Sequence, residues 1–91
     1  MWEVVILAVW QSPAVMHLIL FQRDDCPLCD YALAVLAAAH VADFESVWID
    51  DDADLEARYG ARVPVLRDEA TSRELDWPFD PIALRAFADV D

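Results

Sequence analysis

Both cysteines of the chain fall in one short stretch, 23-RDDCPLCDYALAVL-36, with a proline and a leucine between them and an alanine- and leucine-rich run behind. A Cys-x-x-Cys in such a setting is a redox pair, half of a zinc site, a structural disulfide, or a coincidence. On a helix, residues i and i+3 share a face, and their Cα separation suits a disulfide. Cys26-Pro27 favours a helix start, because proline's missing N–H has no partner in the first turn. Cys26 then falls at the N-cap, with unpaired backbone N–H groups and the positive end of the helix dipole directed at its sulfur. Cys29, one turn in, lacks those donors. The asymmetry points to Cys26 as the attacking thiol and Cys29 as the resolving one. Asp24 and Asp25 oppose a developing thiolate, and Arg23 offsets part of their charge. Helix-terminus stabilisation is worth roughly 0.3–2 kcal/mol, and two screened acids cancel about 1 kcal/mol of it. The thiolate is favoured, but modestly.

The chain's 91 residues leave room for one domain with a modest core. Apolar residues make up 58%, and four Trp, four Phe and two Tyr argue for a folded globule. Six Lys plus Arg against eighteen Asp plus Glu give a net charge of −12. A surface this acidic repels phosphate backbones and anionic lipid, which argues against nucleic-acid and membrane partners. The charge reads more simply as a solubility feature of a small monomer. Two cysteines cannot build the multi-bridge framework of a small secreted domain. The opening 1-MWEVVILAVWQ-11 has Glu3 where a signal peptide has a basic start, and Val4 to Trp10 is too short to span a bilayer. The expected compartment is the reducing cytoplasm, where a Cys-x-x-Cys is catalytic or metal-binding rather than structural. A zinc site needs four ligands, and only His17 and His40 remain; one lies in a strand and the other about three helical turns from the cysteines. No metal is expected.

Residues 1–15 fit poorly with the remainder of the chain. Ser12-Pro13 breaks the first apolar run, and Met16 opens a clean segment. They form an N-terminal extension to a domain spanning 16–91. Two readings stay open: a segment ahead of the natural start, left unfolded, or an added strand or helix packed on the domain.

Within the domain, His17 to Gln22 (HLILFQ) is a nearly continuous apolar run, as expected of a strand buried on both faces. The helix from Cys26-Pro27 carries Leu28, Ala32, Val35, Leu36 and Ala39 at the spacing of one buried face, and His40 complements the dipole at its end. Phe44 to Ile49 alternates and reads as a second strand. Asp50, Asp51 and Asp52 offer N-caps for a helix over Ala53 to Tyr59. Gly60, the single glycine, stands where a left-handed C-cap is called for. Val63 to Leu66 is a third strand, Asp68 to Ser72 a turn, and Arg73 to Asp76 a fourth strand. Asp80-Pro81 supplies the N-cap and first residue of a last helix, Ile82 to Asp89. The order is β-α-β-α-β-β-α, an α/β fold on a four-stranded mixed sheet.

CPLC at a strand-to-helix junction, followed by 62-RVPVL-66, resembles the thioredoxin superfamily and, more closely, its small glutaredoxin-like proteins. The resemblance covers residues 17 to about 90. It implies a thiol–disulfide oxidoreductase without a bound organic cofactor, acting on a disulfide-containing protein or a small thiol. It implies a groove shaped by Pro27, Val63 and Pro64, in which Val63-Pro64 is cis and the Val63 backbone pairs with an extended substrate. Three departures stand out. Leu28 replaces the usual Tyr, the basic Arg23 sits beside two acids, and 77-WPFD-80 replaces the Gly-Gly turn against which glutathione's carboxylate rests. Asp80 can take the family's acidic place at the last helix, near the γ-glutamyl amine, but the bulky WPFD argues against glutathione. A second class stays open: a thioredoxin-fold binding module whose cysteine pair is incidental or regulatory.

Asp50, Asp52 and Asp54 mimic the start of a calcium loop, but Leu55 and Ala61 stand where Gly and Glu are required. Trp77 and Phe79 fit an exposed recognition patch or, more simply, packing under the last helix.

Overall fold

The central strand β1, Leu18–Gln22, has buried side chains pointing both ways, and this follows from its place in the sheet. In the computed structural model, which describes residues 17–88, four strands are ordered β2-β1-β3-β4, with β2 at Phe44–Trp48, β3 at Val65–Asp68 and β4 at Arg73–Asp76. β1 runs parallel to β2 and antiparallel to β3, and β3 is antiparallel to β4. Three helices complete the expected order: α1 (Pro27–Ala38), α2 (Ala53–Tyr59) and α3 (Pro81–Ala88). This is the thioredoxin-like fold. The readings for residues 1–15 and for Asp89 lie outside the described residues.

Successive strand residues face opposite sides, and the sheet carries a core on each face. Leu18, Leu20 and Leu66 pack with Ala32 and Leu36 of α1, with its C-cap Ala39, and with Leu84 and Phe87 of α3. Ile19, Phe21 and Val65 turn the other way, onto Tyr59 and Leu55 of α2. The Phe21 and Tyr59 rings stack at 4.2 Å between centroids. Burying one such large side chain contributes about 1.5–3 kcal/mol, so the two clusters are what hold the layers together.

Four expectations need correction. The buried face of α1 runs through Cys29, Ala32, Leu36 and Ala39, whereas Leu28 is 47% exposed. Starting the stripe one residue later also puts Cys29 indoors. His40 does more than meet a dipole. With φ of 62° it is the left-handed residue after the C-cap of α1, and its N–H bonds the Ala37 carbonyl while that of Val41 bonds Leu36. That pair of bonds is a Schellman motif, and Val41 and Leu36 both lie in the same buried apolar cluster. Gly60 is right-handed, φ −54° and ψ −37°, so its role is not conformational. The third strand starts at Val65 rather than Val63, because Pro64 has no N–H for the ladder and that of Val63 goes to the Tyr59 carbonyl at 3.0 Å.

Candidate functional site

The register places every loop of interest at one edge of the sheet. Gln22 at the end of β1 pairs with Trp48 at the end of β2. Phe21 pairs with Val65 at the start of β3, and Val65 pairs with Asp76 at the end of β4. Residues 23–26, 49–52, 61–64 and 77–80 therefore all leave the sheet from the same side. Thus Cys26, Cys29 and Pro27 share an edge with Val63, Pro64 and Asp80.

Cys26 is the N-cap of α1, in extended backbone with φ −118° and ψ 97°. Its sulfur accepts a hydrogen bond from the Cys29 N–H at 3.1 Å. Pro27 follows as the first helical residue and is exposed. Cys26 and Cys29 are joined as a disulfide with Cα atoms 5.2 Å apart. The two sulfurs differ in access: Cys26 is partly exposed, while Cys29 is 2% exposed within the core. The approach to Cys26 turns at Asp25, whose φ of 53° is one that Asp tolerates better than most residues. The N–H of Asp24 donates to the Asp50 carboxylate at 3.2 Å.

Val63-Pro64 is cis, and Pro64 is buried. Its carbonyl accepts the Trp77 N–H at 3.2 Å, tying the Pro64 turn to the segment before α3. The Val63 N–H is engaged by the Tyr59 carbonyl at 3.0 Å. Asp80 caps α3: its Oδ1 accepts from the Ala83 N–H at 2.8 Å and its carbonyl from Leu84. Phe79 is buried and meets Trp77 edge to face at 5.0 Å, so these aromatics pack under the last helix. In the same way Asp52 caps α2 through the N–H groups of Asp54 and Leu55. Among the described residues no cluster of three or more His, Cys, Asp or Glu side chains is arranged to hold a metal ion. Nor does any described helix have the length and apolar character to cross a membrane.

Two side-chain groups beside these loops were not foreseen. Arg23 has its guanidinium engaged by groups other than the Cys26 sulfur. It donates to both oxygens of Glu56, at 2.7 and 3.0 Å, and to the Gly60 carbonyl at 2.8 Å. That bond to Glu56 is the main reason its guanidinium holds its proton more tightly than usual. The second group centres on Glu74 of β4, which accepts from the Tyr59 hydroxyl, Arg62 and Arg67 at 2.6, 2.7 and 2.8 Å. Burial alone would raise the Glu74 carboxyl. These donors outweigh it and hold the group at about 2. Tyr59 shifts upward, first because it is buried and second because its O–H is bonded to Glu74. The partners of Arg23 lie 33 and 37 residues away, a separation no local pattern reveals.

Over residues 17–87 the chain matches the family described as Glutaredoxin-like domain (DUF836). The chain belongs to this glutaredoxin-like family. Its fold is similar to the crystal structure of the protein XcR50 from X. campestris, with a TM-score of 0.75 and 61% identity over 81% of this chain and 97% of that one. The solution structure of XcR50 gives the same TM-score at 60% identity, covering 84% and 96%. Protein Ne2328 from Nitrosomonas europaea is more distant, with a TM-score of 0.68 and 27% identity over 80% of this chain and 91% of that one. None of the curated proteins matches. For a glutaredoxin-like domain, a Cys-x-x-Cys pair at the N-terminus of the first helix fits a thiol-redox role.

Proposed function

We propose that the protein is a thiol–disulfide oxidoreductase that reduces or exchanges disulfides through Cys26 and Cys29. The observation that carries this reading is the unequal setting of the two sulfurs: one capped by a backbone N–H and partly exposed, the other buried behind it. A thiolate at Cys26 attacks one sulfur of a substrate disulfide. The substrate's S–S bond breaks, a Cys26–substrate bond forms, and the departing sulfur takes up a proton. Cys29, having lost its proton, attacks the Cys26 sulfur, closes the internal disulfide and releases the second substrate thiol. Two electrons pass to the substrate, and an external thiol or dithiol reductant returns the pair to its reduced state. Pro27, Val63 and Pro64 shape the groove, with the Val63 carbonyl available to an amide of an extended substrate. No organic cofactor or metal enters the scheme.

The test is turnover of a peptide disulfide such as insulin, coupled to a dithiol reductant. Wild type should turn over, Cys26→Ser should abolish the reaction, and Cys29→Ser should accumulate a mixed disulfide visible by mass spectrometry. A pair that has a reduction potential in the oxidoreductase range but gives no turnover would instead identify a binding module.

A further inference from the structure

We propose that Arg23 is a positioning residue: it ties the loop carrying Cys26 to the turn carrying Pro64 through Glu56 and Gly60, and does not act by lending charge to the Cys26 sulfur. The proposal deepens the oxidoreductase reading and rests on it.

Two walls make the groove. One is the loop of residues 23–26, which delivers the attacking sulfur. The other is the segment leaving α2, where the Tyr59 carbonyl accepts the N–H groups of Arg62 and Val63, just before Pro64. Arg23 joins them. Three donor contacts of 2.7 to 3.0 Å commit the two terminal nitrogens of its guanidinium to Glu56 and the Gly60 carbonyl. A planar fork matched to a carboxylate fixes orientation as well as distance, which a lysine cannot reproduce.

Gly60 adds an independent observation. Its backbone is right-handed, which any residue adopts. What the position lacks is room: a Cβ there would lie 2.5 Å from the Glu56 carbonyl oxygen, 2.7 Å from Glu56 Oε1 and 3.3 Å from Arg23 Nη2. The chain's single glycine stands where the Arg23–Glu56 pair closes down on the backbone. The side chains of Arg23 and Glu56 are 34% and 36% exposed. Such a pair adds little to global stability, so variants fold and activity can be read. An extended substrate must meet the Cys26 sulfur and the Val63 carbonyl at once, so the spacing of the walls sets the line of attack. A small disulfide needs only the sulfur.

Wild type, Arg23→Lys and Glu56→Gln are compared by kcat/KM on a peptide disulfide, by kcat/KM on a small aromatic disulfide, and by the pH profile of Cys26 alkylation. Glu56→Gln leaves the Arg23 charge in place and replaces its charged, two-oxygen partner with a neutral amide that offers one acceptor. Positioning predicts a loss of roughly ten- to hundredfold on the peptide for both variants, a far smaller loss on the small disulfide, and no displacement of the alkylation profile. Glu56→Asp, with its carboxylate one methylene back, should fall in the same direction. Peptide turnover at the wild-type level in Glu56→Gln, full rescue by Arg23→Lys, or a displaced profile in either variant overturns the proposal while leaving the oxidoreductase reading intact. If wild type itself turns over no disulfide, that reading fails and the positioning role fails with it.

Discussion

The backbone N–H of Cys29 donates to the sulfur of Cys26 at 3.1 Å, so the buried cysteine's own residue caps the exposed one. In the reduced protein this bond and the helix dipole stabilise charge at Cys26. Cys29 has neither advantage and is 2% exposed. Alkylation of the reduced protein near neutral pH, followed by peptide mass mapping, should label Cys26 well ahead of Cys29. Equal rates, or faster labelling of Cys29, would sink the assignment of roles.

Gly60→Ala decides between two opposing effects. At a right-handed φ the substitution ordinarily stabilises by about 0.4–1 kcal/mol, through loss of unfolded-state entropy. Here the new methyl meets the backbone oxygen of Glu56 at 2.5 Å, and that atom is no flexible chain end. Overpacking of this kind costs about 1–3 kcal/mol, so crowding wins. Urea unfolding should show a net loss of up to about 2.5 kcal/mol. A gain in stability would mean the Arg23–Glu56 pair and the α2 end yield freely.

How much of this was legible in the sequence depends on the range of each interaction. The order of elements along the chain, the cap at Cys26 and the cap at Asp80 are written in neighbouring residues, and the structure places them as read. Periodicity erred by one residue at Leu28, because a stripe of leucine and alanine gives no sharp edge to the buried face. Gly60 misled for a physical reason: glycine signals either a special φ or a lack of space, and only the packed neighbours distinguish the two. His40 in turn took the left-handed position that a glycine usually fills. The Arg23 contacts and the Glu74 cluster join residues 7 to 37 positions apart. Apart from the cross-strand pair Arg67 and Glu74, no spacing rule reaches them.

Glu74 makes the protein acid-sensitive in a defined window. Burial would raise its carboxyl, but bonds from Tyr59, Arg62 and Arg67 hold it at about 2, below its ordinary 4.5. A carboxylate held below its unfolded value stabilises the fold at every pH above that value. The contribution then fades as pH falls from about 4.5 toward 2. A shift of this size amounts to about 3 kcal/mol for a side chain that is only 20% exposed. Glu74→Gln should lower stability at neutral pH and flatten this part of the acid limb in chemical denaturation. An acid limb as steep as that of wild type would place the sensitivity elsewhere. Tyr59→Phe, which removes one donor from Glu74, should cost about 1–3 kcal/mol at pH 7.

On the proposed oxidoreductase reading, the segment before α3 is expected to disfavour glutathione as reductant. A ligand carboxylate resting there needs free backbone N–H donors, as anions do at turns and helix starts. In 77-WPFDP-81 two residues are prolines without an N–H, and that of Trp77 is taken by the Pro64 carbonyl. Phe79 is buried and Trp77 packs against it, so the chain is held in this arrangement by the core. One oxygen of the Asp80 carboxylate is committed to the Ala83 N–H. One or two hydrogen bonds missing from a charged group cost about 1.5–3 kcal/mol each, or about tenfold in affinity for every 1.4 kcal/mol. With a common disulfide substrate and equal thiol concentration, reduced glutathione should therefore drive turnover about tenfold or more slowly than a protein dithiol reductant. Glutathione-coupled turnover that matches the dithiol would show that the ligand carboxylate is held by groups outside this segment.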